Sequence, residues 1–222
     1  LRNLPTHVQE IISKYQLPAD EGNMLVQQMI TEGIVGASDG SLIESKQDGG
    51  YAYSLQTKNS NYNRISGQGK VPKSNSMISL TTESYGVLGQ LAATLLLCIQ
   101  HKDKSIEKGT LTITTDNEEV VTRINNEPTP VNIKETLVPD YDLWKRCGEI
   151  KQPSPATVHA KWVKGHQDEL KDGRKIYGPF DRLAGLNIDM DKKANEARTD
   201  PTIRQYRRRT YQHTVIGIYD DN

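Results

Sequence analysis

Near residue 33 the hydrophobic period of this chain changes from 3.6 to 2, and near residue 80 it changes back, and those two changes limit the folds open to it. "GIVGASDGS" is a short apolar strand running into Asp39-Gly40, and "GGYAYSLQT" (49–57) alternates Tyr51, Tyr53 and Leu55. "NYNRISGQG" (61–69) reads as a third strand, so 34–68 forms an antiparallel meander. Residues 80–101 then place Leu88, Leu91, Ala92, Leu95, Leu96 and Ile99 at helical spacing. A strand at 110–115, a helix at about 117–126, a Pro-rich connection (Pro128, Pro130), a helix at 140–150 and a strand at 157–165 follow. In that last strand Val158, Ala160 and Trp162 share a face. The final helix is expected from about Ile188 to Arg198, with Asn187 as its N-cap.

Hairpin-connected strands followed by strand–helix–strand crossovers predict an α/β chain with a five-stranded mixed sheet and helices on its faces. Ahead of it, residues 3–32 carry two helical patterns separated by Leu17-Pro18. The expected organisation is an N-terminal helical extension at 1–32, a domain at 33–199 and a basic tail at 200–222.

A chain of 222 residues can build one sizeable core with extensions, or two small domains. No apolar run reaches the roughly 20 residues that span a bilayer. The longest, Leu91 to Ile99, reads as the buried face of a helix, and no membrane partner is expected. Cys98 and Cys147 lie far apart and suggest neither a disulfide framework nor a zinc site. A reducing, intracellular setting, nuclear or cytoplasmic rather than secreted, is the expectation. The formal net charge is zero, which removes global basicity as a sign of nucleic-acid binding. Such a partner would need local patches: Arg64, Lys70 and Lys73; Lys161 and Lys164; Lys171, Arg174 and Lys175; or "RQYRRR" (204–209). Each run is, by itself, an ordinary solvated face.

The acids carry the chemistry. Asp39 is placed at the end of the first strand, Glu83 at the start of the long helix, Asp116 at the end of the fourth strand and Asp191 in the first turn of the last helix. Singly, each is a turn residue, a cap or a charge complementing a helix dipole. Jointly, they fall at strand ends and helix starts, where open α/β sheets build their sites. Clustered carboxylates raise one another's pKa unless a cation neutralises them. Hard oxygen ligands suit Mg²⁺ or Mn²⁺, and two such ions can activate water and stabilise the leaving oxygen of a phosphodiester.

"SDGS" (38–41), "TTESYGVLGQLAA" (81–93), "TITTDNEEVV" (112–121), "YDLWKR" (141–146), "AKWVKGHQD" (160–168) and "NIDMDKKANEA" (187–197) resemble, in order, the successive motifs of type 1 ribonuclease H. The similarity spans about 33–199. It implies a ribonuclease H-like fold and hydrolysis of the RNA strand of RNA–DNA hybrids with two Mg²⁺ ions, Mn²⁺ being an alternative. It implies Asp39, Glu83, Asp116 and Asp191 as metal-binding carboxylates. Asp191 is chosen because Asn187, Asp191 and Ala194 match the family's spacing, whereas Asp189 does not. His166 matches the mobile-loop histidine, and an imidazole that titrates near neutrality suits proton shuttling or product release. Gly40, Ser41 and Asn117 are expected near the scissile RNA strand, where 2′-hydroxyls distinguish RNA from DNA. Ser79 and Thr81 stand where the family has an Asn-rich stretch that touches those hydroxyls.

Departures accompany the match. The 167–187 connection is longer than in many bacterial members, and "HKDKSIEKG" (101–109) is too short for a basic, Trp-bearing handle loop. The extension and long loop suggest a retroelement-type member, a domain of a mobile-element polyprotein. "RQYRRRTYQ" (204–212) fits a nucleic-acid contact and an exposed arm equally. "IYDDN" at the end lacks the spacing of a reverse-transcriptase signature. Two rivals remain: a resolvase- or transposase-type DNA nuclease of the same fold, and a catalytically silent hybrid-binding module.

Overall fold

The structure is a computed structural model, and it describes residues 19–59, 65–74, 77–101, 109–126, 140–170 and 172–203. The expected helix before Leu17, the start of the third strand, the Pro-rich connection and the 204–222 tail lie outside the described residues. The elements are α1 (Ala19–Thr31), β1 (Ile34–Ile43), β2 (Asp48–Thr57), β3 (Ile65–Lys70), α2 (Ser79–Gln100), β4 (Thr110–Thr115), α3 (Glu118–Asn125), α4 (Tyr141–Lys151), β5 (Thr157–Trp162) and α5 (Arg182–Thr199). They form a five-stranded sheet in the order β3-β2-β1-β4-β5. β1 and β3 flank β2 antiparallel, while β1–β4 and β4–β5 are parallel. This is the mixed sheet that the changes of period predict.

β1 is the central strand, and its alternation builds two cores. Val35 and Ala37 face α5, packing with Ala52, Leu186, Met190 and Ala194. Ile34 faces the larger core on the other side, formed by α1, α2 and α4 with β2, β4 and β5. A side chain at Gly36 would meet Gln90 of α2, so the glycine lets that helix approach β1. α2 is long and apolar enough to cross a membrane by composition alone. However, 94% of its most apolar window is buried in the fold, which makes it the core helix.

α1 is no loose extension. Leu25, Val26 and Met29 are fully buried in the larger core. At the opposite edge, among the described residues, no strand pairs with β5 on its outer side. The Asn125 side chain takes that place, accepting from Ala160 N–H at 2.7 Å and donating to Ala160 C=O at 2.9 Å.

Three boundaries differ from expectation. β1 does not end at Asp39-Gly40 but pairs with β2 out to Ile43↔Asp48, and the turn falls at Glu44–Gln47, where Gln47 is left-handed. β5 stops at Trp162, which is 46% exposed and does not share the buried environment of Val158 and Ala160. α5 begins at Arg182, and its N-cap is Asp181, whose Oδ1 accepts from Ala184 N–H at 2.9 Å. Asn187 is therefore not a cap. It lies buried in the middle of the helix.

Candidate active site

Asp39 lies within β1, two residues beyond the last parallel pair with β4, Ala37↔Thr114. Its carboxylate therefore emerges where the parallel ladder has stopped, and Gly40 N–H donates to its Oδ1 at 2.7 Å. Gly40 also lets helix and strand touch. A Cβ there would lie 2.3 Å from Thr82 Oγ1 and 2.6 Å from Glu83 N. That close approach brings Glu83, near the start of α2, against Asp39.

Asp116 directly follows β4, and its backbone carbonyl accepts from Trp162 Nε1 at 3.0 Å. Gly165 presses on it from the next strand–loop junction: a Cβ at that position would sit 2.1 Å from Asp116 Oδ2. Asp39, Glu83 and Asp116 each offer one carboxylate oxygen, and these oxygens lie within 4.8 Å of one another.

Charge repulsion is held in this cluster by burial. Asp39 is pushed from 3.8 up to about 8, mainly by desolvation and then by the Asp116 charge. Glu83 is raised well above its ordinary range by desolvation, then by Asp39 and Asp116. Asp116 is raised by burial, offset by its own backbone and by the His166 charge. Glu83 Oε2 is buried and, among the described residues, accepts no hydrogen bond.

Asp191 stands outside the group of mutually close oxygens but within electrostatic reach, since its charge raises both Asp39 and Asp116. Burial raises Asp191, while His166 and Lys175 counteract this. His166 is left-handed (φ 48°), its side chain is 62% exposed, and Nδ1 lies 3.8 Å from Glu169 Oε2. Beyond it the chain doubles back, with Lys175 Nζ 2.8 Å from Asp168 Oδ2 and 2.7 Å from Glu169 Oε1. Much of the long connection is thus a hairpin that ends beside the acids.

The remaining expected contacts are distributed. Ser41 Oγ accepts from Arg198 Nε at 3.0 Å. The Asn117 side chain caps α3, accepting from Glu119 and Val120 N–H. Thr81 Oγ1 accepts from Ile78 N–H and donates to Asp140 Oδ2 at 2.6 Å, so its hydroxyl is committed within the fold. Ser79 is exposed on the first turn of α2.

No family model matches the chain, and no curated protein matches its sequence. Solved structures match its shape. LC11-RNase H1 in complex with RNA/DNA hybrid aligns with 74% of this chain and 96% of its own, at 10% identity and a TM-score of 0.50. LC11-RNase H1 isolated from compost aligns over 76% and 96%, again at 10% identity and 0.50. The N-terminal RNase H domain of rv2228c from Mycobacterium tuberculosis covers 74% and 92%, at 13% identity and 0.48.

The chain has the ribonuclease H-like fold.

In this ribonuclease H-like sheet the acids gather where β1 outruns β4 and where β4 ends. Three hard oxygen donors, mutually close and strained by like charge, with one buried oxygen unpartnered, fit a divalent cation held by Asp39, Glu83 and Asp116. Two contributors escaped the sequence reading. Gly165 lay inside the quoted "AKWVKGHQD" stretch, and its glycine between a strand and a histidine was the available signal of close approach. Arg198 sat at the end of the last helix with no local mark of function.

Proposed function

We propose that this chain is a metal-dependent endonuclease that hydrolyses the RNA strand of RNA–DNA hybrids. The observation that carries the reading is the convergence of Asp39, Glu83 and Asp116 oxygens within 4.8 Å at the strand ends of a ribonuclease H-like sheet. The solved LC11-RNase H1 complex with RNA/DNA hybrid supports the substrate class. Two divalent ions, Mg²⁺ or Mn²⁺, would supply an activated water and charge neutralisation at the leaving oxygen.

The chain's own residues hold the rest of the chemistry. Asp39, Glu83 and Asp116 would hold the metal, with Asp191 nearby to add a further carboxylate, and Glu83 would orient water and substrate. Gly40 and Gly165 keep the three clustered carboxylates in contact distance because neither brings a side chain into the cluster. His166, exposed and close enough to influence Asp116 and Asp191, is placed to move a proton or to assist product departure. We assign Ser79, exposed on the first turn of α2, together with Gly40 and Asn117, to contacts with the RNA strand.

The test is cleavage of end-labelled RNA–DNA hybrid, double-stranded RNA and double-stranded DNA, with and without Mg²⁺ or Mn²⁺. Metal-dependent cutting of the hybrid's RNA strand alone is the expected result. Cutting of duplex DNA would favour the DNA-directed rival, and hybrid binding without turnover would favour the silent module.

A further inference from the structure

The rung of the sheet beyond Asp39 carries cations in place of acids. Asp39 pairs with Ala52, which pairs with Gln68; two residues further out, Ser41 pairs with Gly50, which pairs with Lys70. Directly paired residues share a face, and Val35 and Ala37 set that face toward α5. Gly50 confirms it: a Cβ there would lie 2.3 Å from Ala194 O and 2.6 Å from Arg198 N, so the last turn of α5 rests on the β2 backbone. Arg198 is thereby placed over the rung between Ser41 and Lys70.

Among the described residues the guanidinium is held by neutral groups. Nε donates to Ser41 Oγ at 3.0 Å and Nη2 donates to Asn195 Oδ1. Among the described residues no carboxylate lies within ion-pair distance of Arg198. An arginine has five N–H donors in a fixed fork that matches a phosphate, and two neutral acceptors leave its charge uncompensated. Lys70 adds a second cation on the same rung. Asp200 lies within reach of the Lys70 charge, so Arg198 is the cation of this rung with no acid against it among the described residues. A strand rises about 3.3 Å per residue, which puts this rung roughly 7 Å from the Asp39 carboxylate. That is about two nucleotides of helix axis.

We propose that Arg198, with Lys70 and the Ser41 hydroxyl, forms a subsite for a backbone phosphate of the bound nucleic acid, about two nucleotides from the phosphate that meets the acids. The subsite rests on the hydrolase reading above and deepens it. A positive rung beside the acidic one fixes the register of the strand, because a shift along the face would take the neighbouring phosphate away from Arg198 and Lys70. A purely structural Arg198 would tie α5 to β1 through Ser41 without needing an unneutralised charge.

The experiment is hybrid binding by Arg198→Gln and Lys70→Gln over a salt series, made in an Asp116→Asn background that prevents cutting. The amide of Arg198→Gln can still donate to Ser41, so the tie to β1 survives. A change that is only structural would appear in thermal denaturation, leaving the salt slope alone. Each substitution should reduce the slope of log K against log salt by about 0.9, and binding should weaken uniformly across hybrid sequences. Arg123→Gln, whose cation is paired with Glu119 and stacked on Trp144, should leave the slope unchanged. If the parent binds hybrid and the Arg198→Gln slope is unchanged, the subsite is wrong and the hydrolase reading stands. If the parent binds no hybrid, both are overturned.

Discussion

A single missing methyl group governs how closely Asp116 meets its neighbours. Gly165→Ala would drive a Cβ to 2.1 Å from Asp116 Oδ2, so the carboxylate must swing away. We expect hybrid cleavage to fall at least about tenfold, the lower end of the cost of disturbing groups that orient metal ligands. Single-turnover kinetics would show it; wild-type turnover would mean that Asp116 tolerates displacement. The same cluster sets a pH dependence. Asp39 holds its proton up to about 8 in the fold but releases it near 3.8 in the unfolded chain. Between those values the folded state binds more protons, so raising the pH destabilises it. Thermal midpoints in chelator should therefore fall from pH 5 to pH 8, and Mg²⁺ should restore stability mainly at the higher pH. A midpoint that rises through this window would contradict the raised pKa. At this scale Asp39, Glu83 and Asp116 were legible from the motifs that carry them. Their closeness was not, because it depends on two glycines whose importance is a tertiary contact.

Elements show where local signals mislead. The "GPFDRLAGLN" stretch has Gly, Pro and Asp at loop-like density, so the sequence places the start of α5 at Asn187. In the fold Asp181 caps the helix, and packing of Leu183 and Leu186 against β1 and β2 carries it through Gly185. Tertiary packing overrides a weak propensity. Asp181→Ala should cost about 1 kcal/mol in chemical denaturation, while Asn187→Ala should show no capping loss; the reverse ranking would restore the sequence reading. β1 misled in the same way. Asp39-Gly40 has turn chemistry, yet pairing with β2 continues for three residues past Gly40, and the real turn needs Gln47 in the left-handed region. Asn125 is the element-scale part with no sequence mark. Its side chain serves both backbone groups of Ala160 on the open edge of β5. Asn125→Ala should destabilise by roughly 0.5–1.5 kcal/mol, the net worth of an ordinary hydrogen bond at a site water can reach.

For the whole molecule, the five-stranded mixed sheet with helices on its faces followed from the changes of hydrophobic period and the two crossover connections, whereas the strand order came from the structure. What patterning left open was the standing of α1, since an amphipathic helix reads alike whether it docks or floats. Leu25, Val26 and Met29 answer this by their full burial with α2 and the sheet. Met29→Ala should cost about 2–5 kcal/mol, measured by urea denaturation; an effect within 0.5 kcal/mol, typical of surface sites, would return α1 to the role of an appendage. The two faces of the sheet divide the work. The α2 side supplies most of the apolar core, while the α5 side brings Asp191 and Arg198 to the strand ends. The central claim is that the buried acids are kept for function at a cost in stability. It is tested most directly by the rate at which Asp116→Asn cleaves the RNA strand of end-labelled hybrid in Mg²⁺, against wild type. The expected result is a loss of at least roughly 100-fold in a protein still folded and able to bind hybrid. Wild-type cleavage by Asp116→Asn would contradict it.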